Sequence, residues 1–404
     1  MNGRIRRLAV VTDAPCFGGA ERYAISMVRA AQRRGLEASI LWLPPVTPAQ
    51  AFIERAQRDG VRLLIADPQA STGITGFIRE FRAMLKSARP DALVINGCGR
   101  PRFWLTPWLA WLAGVPAAWI QHFVEDYGAV GFEPHLLGGR MEGPRFWRAP
   151  QCLRHRLAAM ASTVPVALSA PDRKLIVRWQ RINPDRIAII PPGTECSLFR
   201  FNPAGRDAFR ARWGIAASDS QAGDSETFVV GTSARLVPGK GVDVLIEATA
   251  LLRERGVPAL LVVAGLGHAH ASLEALARQR GVGDAVRFEG FVDDMPAFYS
   301  ALDAFSLCSA VEPYGLSLTE AMSCGRAVVA TPTTAAKEQI QSGRNGWLLK
   351  GFTAAEAAEA LAALHADPAL REQLGNAGRT SATENLDIDL TLERTLRTMS
   401  CLPA

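Results

Sequence analysis

Short apolar runs recur along the chain, and between several of them apolar positions repeat every three or four residues. Runs at 8–12, 39–43, 62–66, 92–96, 117–121, 165–169 and 187–190 lack polar alternation and read as strands buried on both faces. The spacing predicts helices over 20–34 and 76–87. Strand and helix in alternation imply a parallel sheet covered on both sides. The longest uncharged stretch, 103–121, approaches the length of a membrane span. Pro107, Gly114 and Pro116 interrupt it, so it reads as a buried helix, a turn at 114–116 and a strand.

Near Pro191-Pro192-Gly193 the pattern breaks, and the polar run 216–226, AASDSQAGDSE, reads as a loop or an interdomain linker. A second series follows, with strands at 228–232, 260–264, 286–289, 304–307, 327–330 and 347–349. Its helices fall at 242–255, 272–280, 295–301 and 316–324. The expected architecture is therefore α/β, two doubly wound domains in tandem, divided as 1–197 and 198–375. Ligands bind such sheets at the carboxyl ends of the strands, so the expected site lies in a cleft between the two domains.

The 404 residues exceed what one core organises, and 48% hydrophobic with 21% charged residues excludes a disordered, collagenous or coiled-coil chain. Seven scattered cysteines form no CxxC pair, which argues against zinc and redox motifs and fits a reducing compartment. The first apolar run is too short for a signal peptide. Charge is uneven. Residues 1–199 carry 26 Lys+Arg against 15 Asp+Glu, and the remainder carries 19 against 24. A basic first half suits an anionic partner, and equally a solvated arginine-rich surface.

Two segments carry chemistry. In EPYGLSLTEAMSCGRAVVAT, Glu312 and Glu320 are eight apart, Pro313, Tyr314 and Gly315 form a turn, and a helix starts near Leu316. Its amino end leaves N–H groups at Gly315, Leu316 and Ser317 for an anion, and Glu320 sits one turn in, where a carboxylate accepts from a sugar diol. Gly325 reads as a left-handed cap. In GTSARLVPGKG, Arg235 and Lys240 lie on a turn at a strand's carboxyl end, and two cations there neutralise a departing diphosphate. Taken singly, the glutamates also suit a helix flank and the cations a basic turn.

Gly18-Gly19 opens the first helix, where small residues admit a ligand to backbone amides. His122 follows the strand ending at Gln121 and reads either as facing the cleft or as structural. Residue 270 is His, so GLGHAH fails the GxGxxG pattern, and neither a P-loop nor GxSxG occurs.

Together these residues resemble glycosyltransferase family 4, retaining enzymes of the GT-B fold, over nearly the whole length. GGAERYAISMVRAAQRRG, WIQH, IIPPGTECSLF, GTSARLVPGKG and the run from RFEGFVDDMP to AVVAT carry the resemblance. It implies a hexose transferred from a UDP- or GDP-sugar to a glycan or lipid-linked acceptor, in cell-envelope polysaccharide or glycolipid synthesis. It further implies that Arg235 and Lys240 hold the diphosphate, Glu320 the ribose and Glu312 the transferred sugar. Tyr314, Gly315, Leu316 and Ser317 would line the donor, His122 would touch the sugar, and Gly18-Gly19 would face the diphosphate or acceptor. No cofactor or metal is expected.

Thr334-Ala335 stands where the family often has Gly-Gly, which leaves two other readings: a non-catalytic nucleotide- or glycan-binding protein, and a sugar-nucleotide epimerase. The segment 376–404 is expected to cross back to the first domain, as in similar enzymes. The basic, aromatic segment 138–156 suits an anionic membrane surface, so a cytoplasmic protein peripheral at the inner face is expected, with no nucleic-acid partner.

Overall fold

A computed structural model describes residues 5–13, 18–43, 48–71, 73–97, 102–121, 148–215, 227–312 and 314–400. The described chain forms two compact units. One takes the residues up to 121, 148–193 and 388–400; the other takes 194–387. The first unit's strands are β1 (Arg7–Thr12), β2 (Glu37–Trp42), β3 (Arg62–Ile65), β4 (Ala92–Gly97), β5 (Ala117–Gln121), β6 (Val164–Ala167) and β7 (Ala188–Ile189). They form a parallel sheet in the order β3-β2-β1-β4-β5-β6-β7. The second unit has β8 (Phe228–Ser233), β9 (Ala259–Ala264), β10 (Val286–Gly290), β11 (Ala304–Leu307), β12 (Ala327–Ala330) and β13 (Trp347–Leu348). Their order is β10-β9-β8-β11-β12-β13, again all parallel.

Each sheet is buried on both faces because successive side chains alternate between two apolar layers. Phe228 and Val230 enter one layer of the second unit and Val229 the other. Leu261 and Val263 part from Leu260 and Val262 in the same way. Double burial lapses at the edge strand β3, which carries exposed Arg62 and Ile65, and at the start of β2, where Glu37 is exposed.

In each unit a carboxylate ties chain segments together. The Asp303 carboxylate accepts from Arg210 and, at 2.8 Å, from the Val229 N–H, tying the helix Pro203–Arg212 to the sheet. In the first unit Asp91 accepts from the Arg6 and Arg7 amides at 2.9 Å each and from the Arg7 guanidinium. Burial works against the Asp91 charge, but those hydrogen bonds outweigh it and hold the carboxyl below its usual range.

The stretch 103–121 is a short helical turn, the helix Thr106–Leu112, a bend at Gly114 with φ +68°, and β5. Among the described residues no helix is long and apolar enough to cross a membrane. The residues on both sides of 216–226 belong to the second unit, so the unit change precedes that run, between Gly193 and Thr194. The return falls later than 376. The helix Pro368–Asn385 packs on β12 and on the helix Leu316–Ser323, and the first unit resumes at Ile388. The last helix, Ile388–Ser400, lies along the helix Gly19–Arg33, where Arg33 and Arg34 meet Asp389 and Glu393 at 3.3 Å each.

Candidate active site

Strand order locates the site. In the second unit β8 lies between β9 and β11, and the winding reverses between β8 and β11. Loops leaving neighbouring strands at such a point diverge and open a crevice at the carboxyl ends. The loop after β8 carries Arg235 and Lys240; the loop after β11 carries Ser309, Glu312, Tyr314 and Gly315. The two motifs that sequence spacing singled out, 72 residues apart at Lys240 and Glu312, are thereby adjacent.

Their backbones are stitched together. The Ala310 N–H donates to the Gly239 carbonyl at 2.9 Å. Gly241 adopts φ +72°, and a Cβ there would fall 1.9 Å from the Cys308 carbonyl oxygen, so only glycine allows this approach. The loop after β9 braces the cationic turn from the other side. The Leu236 N–H donates to the Leu266 carbonyl at 2.9 Å, and a Cβ on Gly265 would meet the Ala234 carbonyl oxygen at 1.9 Å. Those glycines, which fail as a dinucleotide fingerprint, serve the packing of the Arg235 turn.

The Lys240 ammonium donates to Glu312 Oε2 at 2.8 Å, with the two side chains only 10% and 16% exposed. Ser309 Oγ donates to the same oxygen at 3.2 Å, and the Ser309 carbonyl accepts from Thr331 at 2.6 Å. A pair this dry attracts strongly, and loss of one partner strands the other charge. An ammonium has three donors, so Lys240 can hold Glu312 and an incoming anion together. Arg235 is exposed on the same turn.

Gly315, at φ +72°, caps the helix Leu316–Ser323, and the Glu312 Cγ lies 3.2 Å from where its Cβ would stand. The first amides of that helix have no acceptor within it, so Leu316 and Ser317, both partly exposed, offer N–H groups beside the Lys240–Glu312 pair. The Gln339 amide donates to the Tyr314 carbonyl and accepts from Thr319 at 2.9 Å, fixing the turn to the helix. Gln339 belongs to the helix Thr334–Gln339, which forms at the segment with Thr334-Ala335 by using the Thr333 hydroxyl as its cap. Glu320 is 4% exposed, and its Oε2 accepts from the Tyr299 hydroxyl at 2.7 Å. Gly325 closes the segment at φ +71°, as the spacing predicts.

In the first unit the winding reverses between β1 and β4. Gly18 caps the helix Gly19–Arg33 there, its N–H held by the buried Glu21 carboxylate at 2.7 Å, and Asn96 at the end of β4 donates to the Ala20 carbonyl. His122 lies outside the described residues, as does 138–147. Spacing alone missed Tyr299, Ser309, Gln339 and Glu21. Tyr299 sits in an apolar helix pattern that reads as core, Ser309 and Gln339 lie outside the motifs that spacing marks, and Glu21, three residues after Gly18, fits a capping pattern.

Two doubly wound parallel units, one with a cationic turn and a glutamate pair at its switch point, define a glycosyltransferase of GT-B fold. Residues 17–198 match the family described as Glycosyltransferase Family 4, and residues 216–381 match Glycosyl transferases group 1. A D-inositol 3-phosphate glycosyltransferase of Salinispora arenicola is 30% identical over 393 residues, covering 90% of this chain and 83% of that protein. One of the same name from Thermomonospora curvata is 27% identical, covering 94% and 89%. The chain belongs to glycosyltransferase family 4. Among solved structures, Anabaena HepE in complex with UDP and glucose is similar with TM-score 0.78 at 20% identity, over 99% of this chain and 100% of that one, a likeness of fold.

Proposed function

We propose that the chain is a retaining hexosyltransferase that takes the sugar from a UDP- or GDP-linked donor. The convergence of Lys240, Glu312 and the amino end of the helix Leu316–Ser323 at one switch point carries the reading. Lys240, Arg235 and the Leu316 and Ser317 amides would take the diphosphate, Glu320 the ribose hydroxyls, and Glu312 the transferred sugar, with Tyr314 and Gly315 shaping the turn. The bond from the sugar's anomeric carbon to the phosphate oxygen breaks with oxocarbenium character. The acceptor oxygen bonds to that carbon from the same face, and its proton passes to the leaving phosphate. Stabilisation of the leaving group and positioning then supply the rate, without a metal ion.

The acceptor we propose is a glycan or lipid-linked sugar or polyol bearing negative charge. The basic first unit supports this, as do relatives named for D-inositol 3-phosphate. His122 and Gly18-Gly19 would contact sugar or acceptor from that unit. An anionic membrane surface is the proposed setting. Trp111, Leu112, Leu153 and Met160 stand 61%, 63%, 55% and 52% exposed on two adjacent helices, Thr106–Leu112 and Arg148–Ala161, beside exposed Arg154 and Arg156.

Calorimetric titration with UDP, GDP, ADP and dTDP in EDTA tests the donor reading. One nucleotide should bind, and Glu320→Ala should weaken that binding by about 30-fold or more. Binding of none would overturn the site, and a requirement for divalent metal would overturn the metal-free step. Nucleotide binding without any transfer would favour a non-catalytic protein.

A further inference from the structure

We infer that Tyr299 is a positioning residue that aims the Glu320 carboxylate at the donor's ribose; this rests on the role proposed above for Glu320. The last torsion of a glutamate is soft, with broad wells, so a carboxylate held only by its stem turns freely. A diol needs the opposite, two acceptor lone pairs held in one plane. In this site the plane is set from outside the helix that carries Glu320. Tyr299 projects from the helix Met295–Ala301, is fully buried, and donates its hydroxyl to Glu320 Oε2 at 2.7 Å.

The phenol itself has little freedom. Its ring packs against Phe199, Phe298 and Phe305 with centroids 6.1, 5.7 and 5.5 Å away. The helix beneath it is pinned at its start by the Asp294 carboxylate, which accepts from the Ala297 N–H at 3.0 Å. The hydroxyl is thus a fixed donor that sets the angle of the carboxylate. A carboxylate offers about four lone-pair directions, so one oxygen can accept from the phenol while the group also accepts from a ligand. A Phe at 299 would keep the aromatic packing and remove the hydroxyl that donates to Glu320.

The test reads the ribose hydroxyls directly. Kd is measured for UDP or GDP, whichever binds, and for its 2′,3′-dideoxy form, in wild type and Tyr299→Phe, with Tm recorded for both. Wild type should lose about 30-fold on removal of the hydroxyls, the range expected for hydrogen bonds to a charged group. Tyr299→Phe should bind the ribonucleotide roughly tenfold more weakly while binding the dideoxy form within about twofold of wild type. Equal weakening of both nucleotides would mean a packing role and overturn the inference, and so would unchanged discrimination. Wild type that does not discriminate would remove the ribose role of Glu320 and this inference with it. If Tyr299→Phe alone is too unstable to titrate, the same change is made in the Glu320→Gln background. There it should leave the ribose-to-dideoxy ratio unaltered, and an altered ratio would overturn the proposal.

Discussion

Lys240 and Arg235 differ in a way that spacing does not reveal. Lys240 is buried and already neutralised by Glu312, whereas Arg235 is exposed on a braced turn. Truncating Lys240 therefore strands the Glu312 charge, and truncating Arg235 does not. Arg235→Ala and Lys240→Ala should each lower kcat about 10²–10³-fold, since each removes charge from the leaving diphosphate. Only Lys240→Ala should also lower Tm. Steady-state kinetics with a thermal melt checks both, and kcat within about threefold of wild type for either variant would remove that residue from the leaving-group site. The helix start at Leu316 and the placement of both cations and Glu312 on loops at strand ends were legible, because turn residues after an apolar run mark such loops. The sequence hid Tyr299, Ser309 and Gln339. Tyr299 and Gln339 bond to partners 21 and 25 residues away that only the fold brings near, and Ser309, three residues from Glu312, carries no charge or turn signal of its own.

At the scale of elements, parallel strands were the easiest to read: doubly buried runs are continuous, and β5, β11 and β12 stand where the apolar runs at 117–121, 304–307 and 327–330 begin and end. Helices built on small residues, such as Ala354–Ala366, give no large apolar rhythm, and the C-terminal apolar positions keep no single period because Leu386 lies in the bend between the helices Pro368–Asn385 and Ile388–Ser400. The helix Arg148–Ala161 carries a pH dependence. Its His155 ring packs edge-on to Trp119 at 5.8 Å, and burial, with Arg154 adding repulsion, pushes the imidazole down to about 4. The unfolded chain titrates near 6.5, so between those values the unfolded state binds more protons and acid favours it. Stability should therefore fall as pH drops from about 6.5 to about 4, by on the order of 2–3 kcal/mol, and this contribution should be flat outside that window. Urea midpoints at pH 7.5 and 5.0 check it: His155→Phe, which keeps the ring contact, should show a smaller loss between the two, and an equal loss would show that His155 does not titrate this way.

At the scale of the whole molecule the charge is divided: the basic half supplies most of the first unit, and the acidic half most of the second. Among the described residues, the first unit exposes Trp111 and Leu112 on one helix and Leu153 and Met160 on the helix beside it, with Ile65, Ile74 and Ile189 exposed elsewhere. Trp108 and Trp111 meet edge to face at 5.9 Å, which stiffens the display. Tryptophans beside arginines match a membrane–water interface, where the ring sits at headgroup depth and the guanidinium meets lipid phosphate. Neither part suffices alone: exposed apolar area of this size binds weakly, and each basic residue near an anionic leaflet adds about 1 kcal/mol, screened within a Debye length of about 10 Å at 0.1 M salt. Vesicles containing anionic lipid should therefore sediment the protein at low salt, and about 0.5 M salt should release most of it. Trp111→Ala should weaken binding at either salt, because it removes the inserted ring, whereas Arg154→Ala with Arg156→Ala should weaken it at low salt alone. Equal sedimentation with neutral and anionic vesicles at low salt would refute an electrostatic surface, and unaltered binding by Trp111→Ala would move the contact away from these helices.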